Sequence, residues 1–482
     1  MNIQLPLHKT KIVCTIGPAS RSEDVLSRML RAGMTIARMN LSHDTPEEHR
    51  RTIASLRAIA EKLGRHCPIL VDLPGPKIRI GRLETEPVIL AKGAVVTLTA
   101  REIAGTPALI PVTYRRLPES VLPGSVIYLN DGFIALEVVA VGHDEVRCLV
   151  TTGGPLLSGK GLNFPGAQIF ENPVTDHDLE LMEFALAQDI TTFGISFVER
   201  ADDIIRTREF ARKKRKEVYI VAKIERASAV RNIDEILEVT DAVMIARGDL
   251  GVEIPIEEVP VVQKQLIRKA NLACRPVITA TQMLESMVDS PRPTRAEATD
   301  VANAILDGTD AVMMSEETAI GRYPVETVEM MARIAIALER QRHMIRSSVF
   351  LQEQLKGELI KHRITVPDTI SLNVFEAVRA LEAPFILTAT TSGMTARRVS
   401  RLKPDGWIIA CNNDEKVCDF LRFSYGVFPV LMDTDTPEWY RQGIRLLDNS
   451  GLVRHGDRVI LTEGKFAGTA GGTDSMGIIT IP

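Results

Sequence analysis

Eight short runs of apolar, often β-branched residues recur along the chain, beginning at Lys11, Thr35, Pro68, Thr191, Val218, Ala242, Val277 and Asp310. Amphipathic stretches lie between them, among them Pro46 to Leu63 and Asp176 to Ala187. Ser22, with Glu23 and Asp24, gives the first of these helices a polar and acidic start. Strands spaced by helices imply parallel β/α units. Eight strands with seven crossovers, in pieces summing to about 250 residues, are the count of a TIM (β/α)8 barrel. Catalytic groups in such a barrel gather at the C-terminal strand ends. Here those ends carry Arg38, Asn40, Asp72, Ser196, Lys223, Glu225, Asp249, Thr281 and Ser315. Salt bridging alone gives charge no reason to collect at one end of every strand.

Two neighbouring strands state the chemistry most openly. In VYIVAKIE, Lys223 and Glu225 are two apart and share a side, with Ile224 pointing oppositely. DAVMIARGDLGVE repeats the design and closes with Arg247, Gly248 and Asp249. Two carboxylates and an ammonium thus meet at one end of adjacent strands. Mg²⁺ is held by one or two carboxylates plus substrate oxygens. A lysine beside it suits the charge of a transferring phosphoryl group. The competing reading is a pair of structural salt bridges.

The β/α rhythm breaks from about Ile78 to Ala167, where runs such as AVVTLTA and EVRCLVTT alternate or stay apolar and no helix pattern is visible. Asn130, Asp131 and Gly132 read as a hairpin-like turn. The stretch predicts an inserted all-β lid domain, residues 75–171, within a barrel domain of residues 1–74 and 172–345. After a helix-rich connection (Val325 to Leu359), residues 346–482 read as a smaller α/β domain with a mostly parallel sheet. Its strands are expected at Phe385 to Thr390, Trp407 to Cys411, Val427 to Leu431, Arg458 to Thr462 and Ile478 to Ile481. The first of them empties into TATTSGMTARR, whose hydroxyls, amides and following helix can hold a phosphate; the alternative is a simple helix cap. The Gly-rich stretch Gly464 to Asp474 is placed to cover it.

A chain of 482 residues exceeds one ordinary domain, and two to four are expected. The net charge of −4 supplies no basic field, so nucleic acid is not an expected partner, and RKKRK at Arg212 to Lys216 reads as a solvated helix face. The six cysteines form no CxxC pair, which predicts reduced thiols in a cytoplasmic protein. MNIQLPLHKT has no signal-peptide core, and no apolar run is long enough to cross a bilayer. His8 and His455 are expected at the surface.

The runs TKIVCTIGPAS, ARMNLSH, KIE, IARGDLGVE, TATQMLESM and PRPTRAEATDVANAILDGTDAVMMSEETA resemble the pyruvate kinases of bacterial type, over essentially the whole length. The resemblance implies a barrel, an inserted lid, a C-terminal regulatory domain and a homotetramer. It implies phosphoryl transfer from phosphoenolpyruvate to ADP, giving pyruvate and ATP. By position, Lys223 matches the lysine that stabilises the phosphoryl group in flight, and Arg38 the arginine on the substrate phosphate. Glu225 and Asp249 match ligands of one Mg²⁺, for which Mn²⁺ can substitute; a second Mg²⁺ arrives with ADP. The amides near Gly248 and Asp249, with Thr281, match the clamp on the substrate carboxylate. Thr281 and Ser315 lie where the enolate is protonated, a step better suited to a water relay than to a threonine hydroxyl. Asn40, His43, Arg79 and Lys160 match nucleotide contacts. Thr390, Thr391, Ser392, Gly393 and Thr395 match an effector loop for a phosphorylated sugar or AMP.

One departure is informative. Many family members carry glutamate where this chain has Lys77, two residues before Arg79, and require K⁺. A lysine there puts a fixed positive charge in place of a K⁺–glutamate arrangement, while Asn40, Ser42, Asp72 and the Leu73 carbonyl still match the cation pocket. K⁺-independence is therefore expected, against the reading of a neutral change on a loop. SEETA in place of SGETA sets Glu316 near the active face without an evident role. Two other readings stay open: an aldolase-like Mg²⁺-enolate lyase, which would not need the lid or nucleotide contacts, and an inactive phosphometabolite sensor, which the presence of Lys223, Glu225 and Asp249 disfavours.

Overall fold

The computed structural model describes residues 3–130, 132–167, 172–341, 349–361, 364–434, 436, 438–464 and 472–482. Eight strands close into a barrel: β1 (Lys11–Thr15), β2 (Ile36–Asn40), β3 (Ile69–Leu73), β4 (Thr192–Ile195), β5 (Tyr219–Ile224), β6 (Ala242–Ala246), β7 (Val277–Ala280) and β8 (Ala311–Met314). They run in order around the barrel, and each adjoining pair is parallel. One strand face packs on the helical layer and the other fills the barrel, which is why the strands read as continuous apolar runs. The first helix, Glu23–Ala32, is capped by the Ser22 hydroxyl, which accepts from Val25 N, and its first turn is acidic as expected.

Between β3 and β4 lies the lid. Its six-stranded sheet runs Leu162–Asn163, Val126–Leu129, Ile134–Val141, Glu145–Thr152, Val95–Thr99, Leu109–Pro111, around a core that includes Leu98, Ile127, Leu136 and Cys148. Val126–Leu129 and Ile134–Val141 pair antiparallel, so the expected hairpin forms, with Asn130 and Gly132 both at positive φ; Asp131 lies outside the described residues. The lid is not free of helix. Leu117–Ser120 makes a single turn, its end tied by Tyr114 Oη and Ser120 Oγ at 2.8 Å. One turn is too short to leave a periodic pattern.

The C-terminal sheet runs Val427–Leu431, Trp407–Asn412, Phe385–Ala389, Arg458–Glu463, Ser475–Thr480; only the last of these pairs antiparallel. That last strand begins three residues before the expected Ile478, in polar Ser475 and Gly477 that carry no apolar signal.

This domain closes the N-terminal mouth of the barrel. Phe420 and Phe423 join the cluster of interior residues that includes Val13, Leu70, Val221 and Met313, and Phe420 stacks on Tyr219 with ring centroids 4.2 Å apart. Lys403 pairs with Asp310 at 2.6 Å, Lys11 Nζ donates to Val427 O at 2.7 Å, and His66 pairs with Asp419. His8 departs from expectation: it is only 2% exposed, with Nδ1 2.6 Å from Thr10 O. The N-terminal segment tucks it against Gly33, whose φ of 128° and missing side chain leave the space. His455 is exposed, as are Arg212 to Arg215, and all six cysteines are free and buried.

Candidate active site

At the C-terminal mouth of the barrel the strand ends form a connected network of charge. Lys223 Nζ lies 2.9 Å from Glu225 Oε1, 3.2 Å from Asp72 Oδ1 and 2.7 Å from Ser196 Oγ. Ser196 Oγ in turn donates to Leu73 O at 2.8 Å. Arg38 donates through Nε to Asp72 Oδ2 at 2.8 Å, pairs with it again through Nη2, and reaches Thr15 Oγ1 at 2.9 Å through Nη1. Asn40 and Asp72 are cross-strand partners, which sets β2 and β3 so that Arg38 and Asp72 can meet.

The electrostatics follow from that packing. Burial pushes the Lys223 ammonium towards neutrality, but Asp72 and Glu225 more than offset it, and its pKa is raised. Burial works against ionised Asp72 as well, yet Lys223 and Arg38 hold its carboxyl below the usual range. Glu225 goes the other way. Burial raises its pKa, Lys223 opposes, and the charge of Asp249 reinforces the rise. Two carboxylates that repel each other beside one cleft are a donor set for a divalent cation. Glu225, Asp249, Glu253 and Lys77 line that cleft together with the lid residues Asn163 and Phe164.

Three residues here hold backbone angles that L side chains rarely adopt. Phe197 sits at φ 56°, and its N–H donates to Glu225 Oε2 at 2.8 Å, fixing the carboxylate. Thr281 and Gln282 sit at φ 66° and 53°. A β-branched residue there is strained. Arg247 holds the turn: Nη2 donates to Thr281 O at 2.8 Å, Nε to Ala280 O at 3.2 Å, and Nη1 pairs with Asp300 at 2.6 Å. The turn aims Thr281 Oγ1 at Gly248 N, 2.8 Å away. Gly248 and Thr281, expected at one clamp, are therefore joined directly. Ser315 enters through Glu317, as its N–H donates to Glu317 Oε2 at 2.7 Å.

The remaining expected residues form three further groups, with Lys77 and Glu316 apart from them. Arg79 Nη1 donates to Gly159 O at 2.8 Å, which brings Arg79 beside Lys160 at the lid edge. Asn40 Oδ1 accepts from Ser42 N at 3.2 Å, and His43 stands exposed just beyond. Lys77 makes no ion pair among the described residues; its Cε lies against Gly161 of the lid. Glu316 is exposed. In the C-terminal domain Thr390 is buried, Gly393 takes φ 76°, and Asn412 Nδ2 donates to Thr391 O at 2.9 Å. Thr395 Oγ1 meets Thr473 Oγ1 at 2.5 Å, so the end of the late Gly-rich stretch does reach this loop; residues 465–471 lie outside the described residues.

Sequence reasoning gave no role to Arg247, which it named at the strand end, and missed Glu317 and also Glu253, whose carboxyl burial pushes up to about 7, with Arg226 opposing and Glu199 reinforcing. Each lies within a motif, and position in a motif says nothing of which neighbour a side chain holds.

A family model for the pyruvate kinase barrel domain matches residues 7–328, and one for the pyruvate kinase alpha/beta domain matches residues 368–479. The chain is 49% identical to a pyruvate kinase of Thermococcus litoralis, with all of both chains covered. It is 44% identical to one of Geobacillus stearothermophilus, over 98% of this chain and 80% of that one. With one of Thermotoga maritima the identity is 37%, over 98% of this chain and the whole relative. Among solved structures, a pyruvate kinase from Cryptosporidium parvum superposes with a TM-score of 0.90 at 33% identity, covering 99% of this chain and 97% of that chain. The lid that an aldolase-like lyase would not need is present, and barrel, lid and C-terminal domain all fall within matches to one family: this chain belongs to the pyruvate kinases.

Proposed function

We propose that this cleft carries the phosphoryl group of phosphoenolpyruvate to ADP, giving pyruvate and ATP, with each residue in the following role. The observation that carries the reading is one buried ammonium, Lys223, kept protonated between Asp72 and Glu225. A fixed cation that needs no reorganisation suits a step in which little covalent work falls to the protein. Arg38, oriented by Asp72 and Thr15, takes the substrate phosphate. Backbone N–H groups around Gly248 and Asp249, with the Thr281 hydroxyl, orient its carboxylate. Thr281 and Ser315 hold the water that protonates the enolate carbon. Asn40, His43, Arg79 and Lys160 contact the nucleotide.

Glu225 and Asp249 would hold Mg²⁺ or Mn²⁺, and a second Mg²⁺ would come with ADP. An ion held by these two carboxylates would supply positive charge for the phosphoryl oxygens and for the negative charge that develops as the phosphoryl group leaves. The mutual repulsion of the two carboxylates supports this placement. For monovalent cation, the reading is K⁺-independence. Lys77 brings a fixed positive charge to the same cleft, and Asp72 and Leu73 O already have partners in Arg38, Lys223 and Ser196. The enzyme works as a cytoplasmic homotetramer, in keeping with its family and its six free thiols.

The loop Thr390, Thr391, Ser392, Gly393 and Thr395 receives the phosphate of a sugar phosphate or AMP and activates the enzyme. If so, Thr390→Ala with Ser392→Ala abolishes activation and leaves the maximal rate intact; an unchanged activation curve would sink the placement.

The test of the whole reading is pyruvate formation from phosphoenolpyruvate and ADP with Mg²⁺. Glu225→Gln and Asp249→Asn should each lower kcat/KM by about 10²-fold or more and raise the Mg²⁺ needed for half-maximal rate. Wild-type turnover that neither change affects would overturn the assignment of the metal ligands.

A further inference from the structure

Beneath the barrel, where the C-terminal domain seals it, lies a small recess of about 10 Å³, room for one water-sized group, lined by Asn271, Arg275, Arg397, Ser400, Arg401 and Ser424, with Cys274, Pro276 and Asp310 at its edge. Arg275 comes from the turn before β7, and Arg397 from the helix Met394–Ser400. Arg397 is 7% exposed, and its Nε and Nη1 have no hydrogen-bond partner among the described residues. Its remaining nitrogen donates to Ser392 O at 3.5 Å and to no other atom among the described residues. The guanidinium lies over Phe420, 5.5 Å from the ring centroid. Ser424 Oγ, on a residue 1% exposed, is likewise without a partner, as is Arg401 Nε.

The charges around the recess do not cancel. Arg401 is neutralised by Asp368 at 2.6 Å, Asp310 by Lys403 at 2.6 Å, and nearby Asp241 by Arg208 at 2.7 Å. Asp310 also accepts from Tyr425 N and Val277 N, so it has little left to offer. Arg275 spends Nε and Nη2 on the carbonyls of Leu237 and Glu238. Neither Arg275 nor Arg397 forms an ion pair with a carboxylate among the described residues. Burial, then the charge of Arg275, makes the Arg397 guanidinium less basic than usual. A guanidinium does not shed its proton in a protein, so two such charges at a buried seam call for a counter-charge.

We propose that this recess binds a single halide ion, which fits its size, between Arg275 of the barrel and Arg397 of the C-terminal domain. Arg397 Nε and Nη1, Arg401 Nε and the Ser424 hydroxyl are the available donors. Asn271 Oδ1, an acceptor without a partner among the described residues, lies in the same recess, where those four donors outnumber it. The bound anion fastens the C-terminal domain to the barrel at the end opposite the chemistry. None of the hydroxyls assigned to the effector loop takes part, so the site stands or falls independently of that assignment.

Crystals of the full-length enzyme soaked in sodium bromide, and others in sodium phosphate, test it directly. An anomalous bromide peak within hydrogen-bond distance of Arg397 supports the site. Phosphate density there without bromide overturns the assignment to a halide. Only water in the recess after both soaks overturns the proposal. In Arg397→Met, which keeps an apolar stem over Phe420, the peak should be lost, and a surviving peak overturns the role of Arg397. In solution, replacing gluconate by chloride at constant ionic strength should raise the unfolding temperature of the wild type more than that of Arg397→Met; equal rises count against the site. If Arg397→Met does not fold, Ser424→Ala removes a single donor and should weaken the anion-dependent rise.

Discussion

Glu317 accepts from the backbone N–H of Ser315 at 2.7 Å, and with its other oxygen from Leu284 N at 3.1 Å. One buried carboxylate therefore ties the turn after β8 to the loop that follows Thr281. Burial raises its pKa, and the backbone N–H groups of Glu317 itself, Leu284 and Ser315 offset only part of the rise, so the carboxylate depends on these donors. In Glu317→Gln one oxygen becomes an NH₂ group facing an N–H. Such a loss costs about 1.5–3 kcal/mol. We expect kcat to fall by about tenfold or more with KM for phosphoenolpyruvate changed less than about threefold, as for a residue that positions others. A raised KM at unchanged kcat would point instead to ground-state binding.

Lys223→Met removes the ammonium and leaves Asp72 and Glu225 without it. The reading above puts that charge on the phosphoryl group in the transition state, so kcat should fall by about 10³-fold. Thermal unfolding should also come earlier, since breaking a buried ion pair costs about 3–5 kcal/mol. Steady-state rates on protein shown to be folded by circular dichroism separate the two effects. A variant that keeps more than about a tenth of wild-type kcat would exclude Lys223 from the chemical step.

The strands were legible because burial on both faces leaves an apolar signal that local sequence cannot hide. The charged ends were legible for the same reason: polar residues at the close of a buried run stand out. What could not be read was partnership. Asp72 and Lys223 are 151 positions apart in the chain and meet only because the barrel closes. The positive φ of Thr281 runs against the preference of a β-branched residue, and it persists because Arg247 donates to the carbonyls on either side of the bend. His8 was misplaced for a similar reason, as nothing in HKTK reports that Gly33 leaves room for an imidazole.

Lys77→Glu should turn the enzyme into one that needs K⁺. Lys77 lines the cleft beside Glu225 and Asp249, and replacing it with glutamate changes the local charge by two units there. Wild-type rates should agree in K⁺ and tetramethylammonium buffers. The variant should lose about tenfold or more in tetramethylammonium and recover with added K⁺, because a mobile cation then restores the missing charge. Equal dependence on K⁺ in both proteins would remove Lys77 from the account.

At the seam below the barrel, Lys11 is buried between β1 and the C-terminal domain. Burial pushes the Lys11 ammonium down from 10.5 to about 7, and Arg422 adds to the effect while Glu339 and Asp310 oppose it. Its Nζ donates to Val427 O and lies 5.5 Å from the Trp407 ring centroid. In the unfolded chain this lysine titrates near its ordinary value of about 10.4. Between these two values the unfolded chain binds the extra proton, so raising the pH favours the fold. Below about pH 7 both states are protonated and the burial penalty is fully present. The stability of the wild type relative to Lys11→Met should therefore climb from pH 7 towards 10, by at most about 1.4 kcal/mol per pH unit. Urea unfolding of both proteins across that range, compared at each pH, removes the contribution of every other titrating group they share. A difference that stays flat means Lys11 remains charged at the seam, and one that falls with pH means its pKa is raised there.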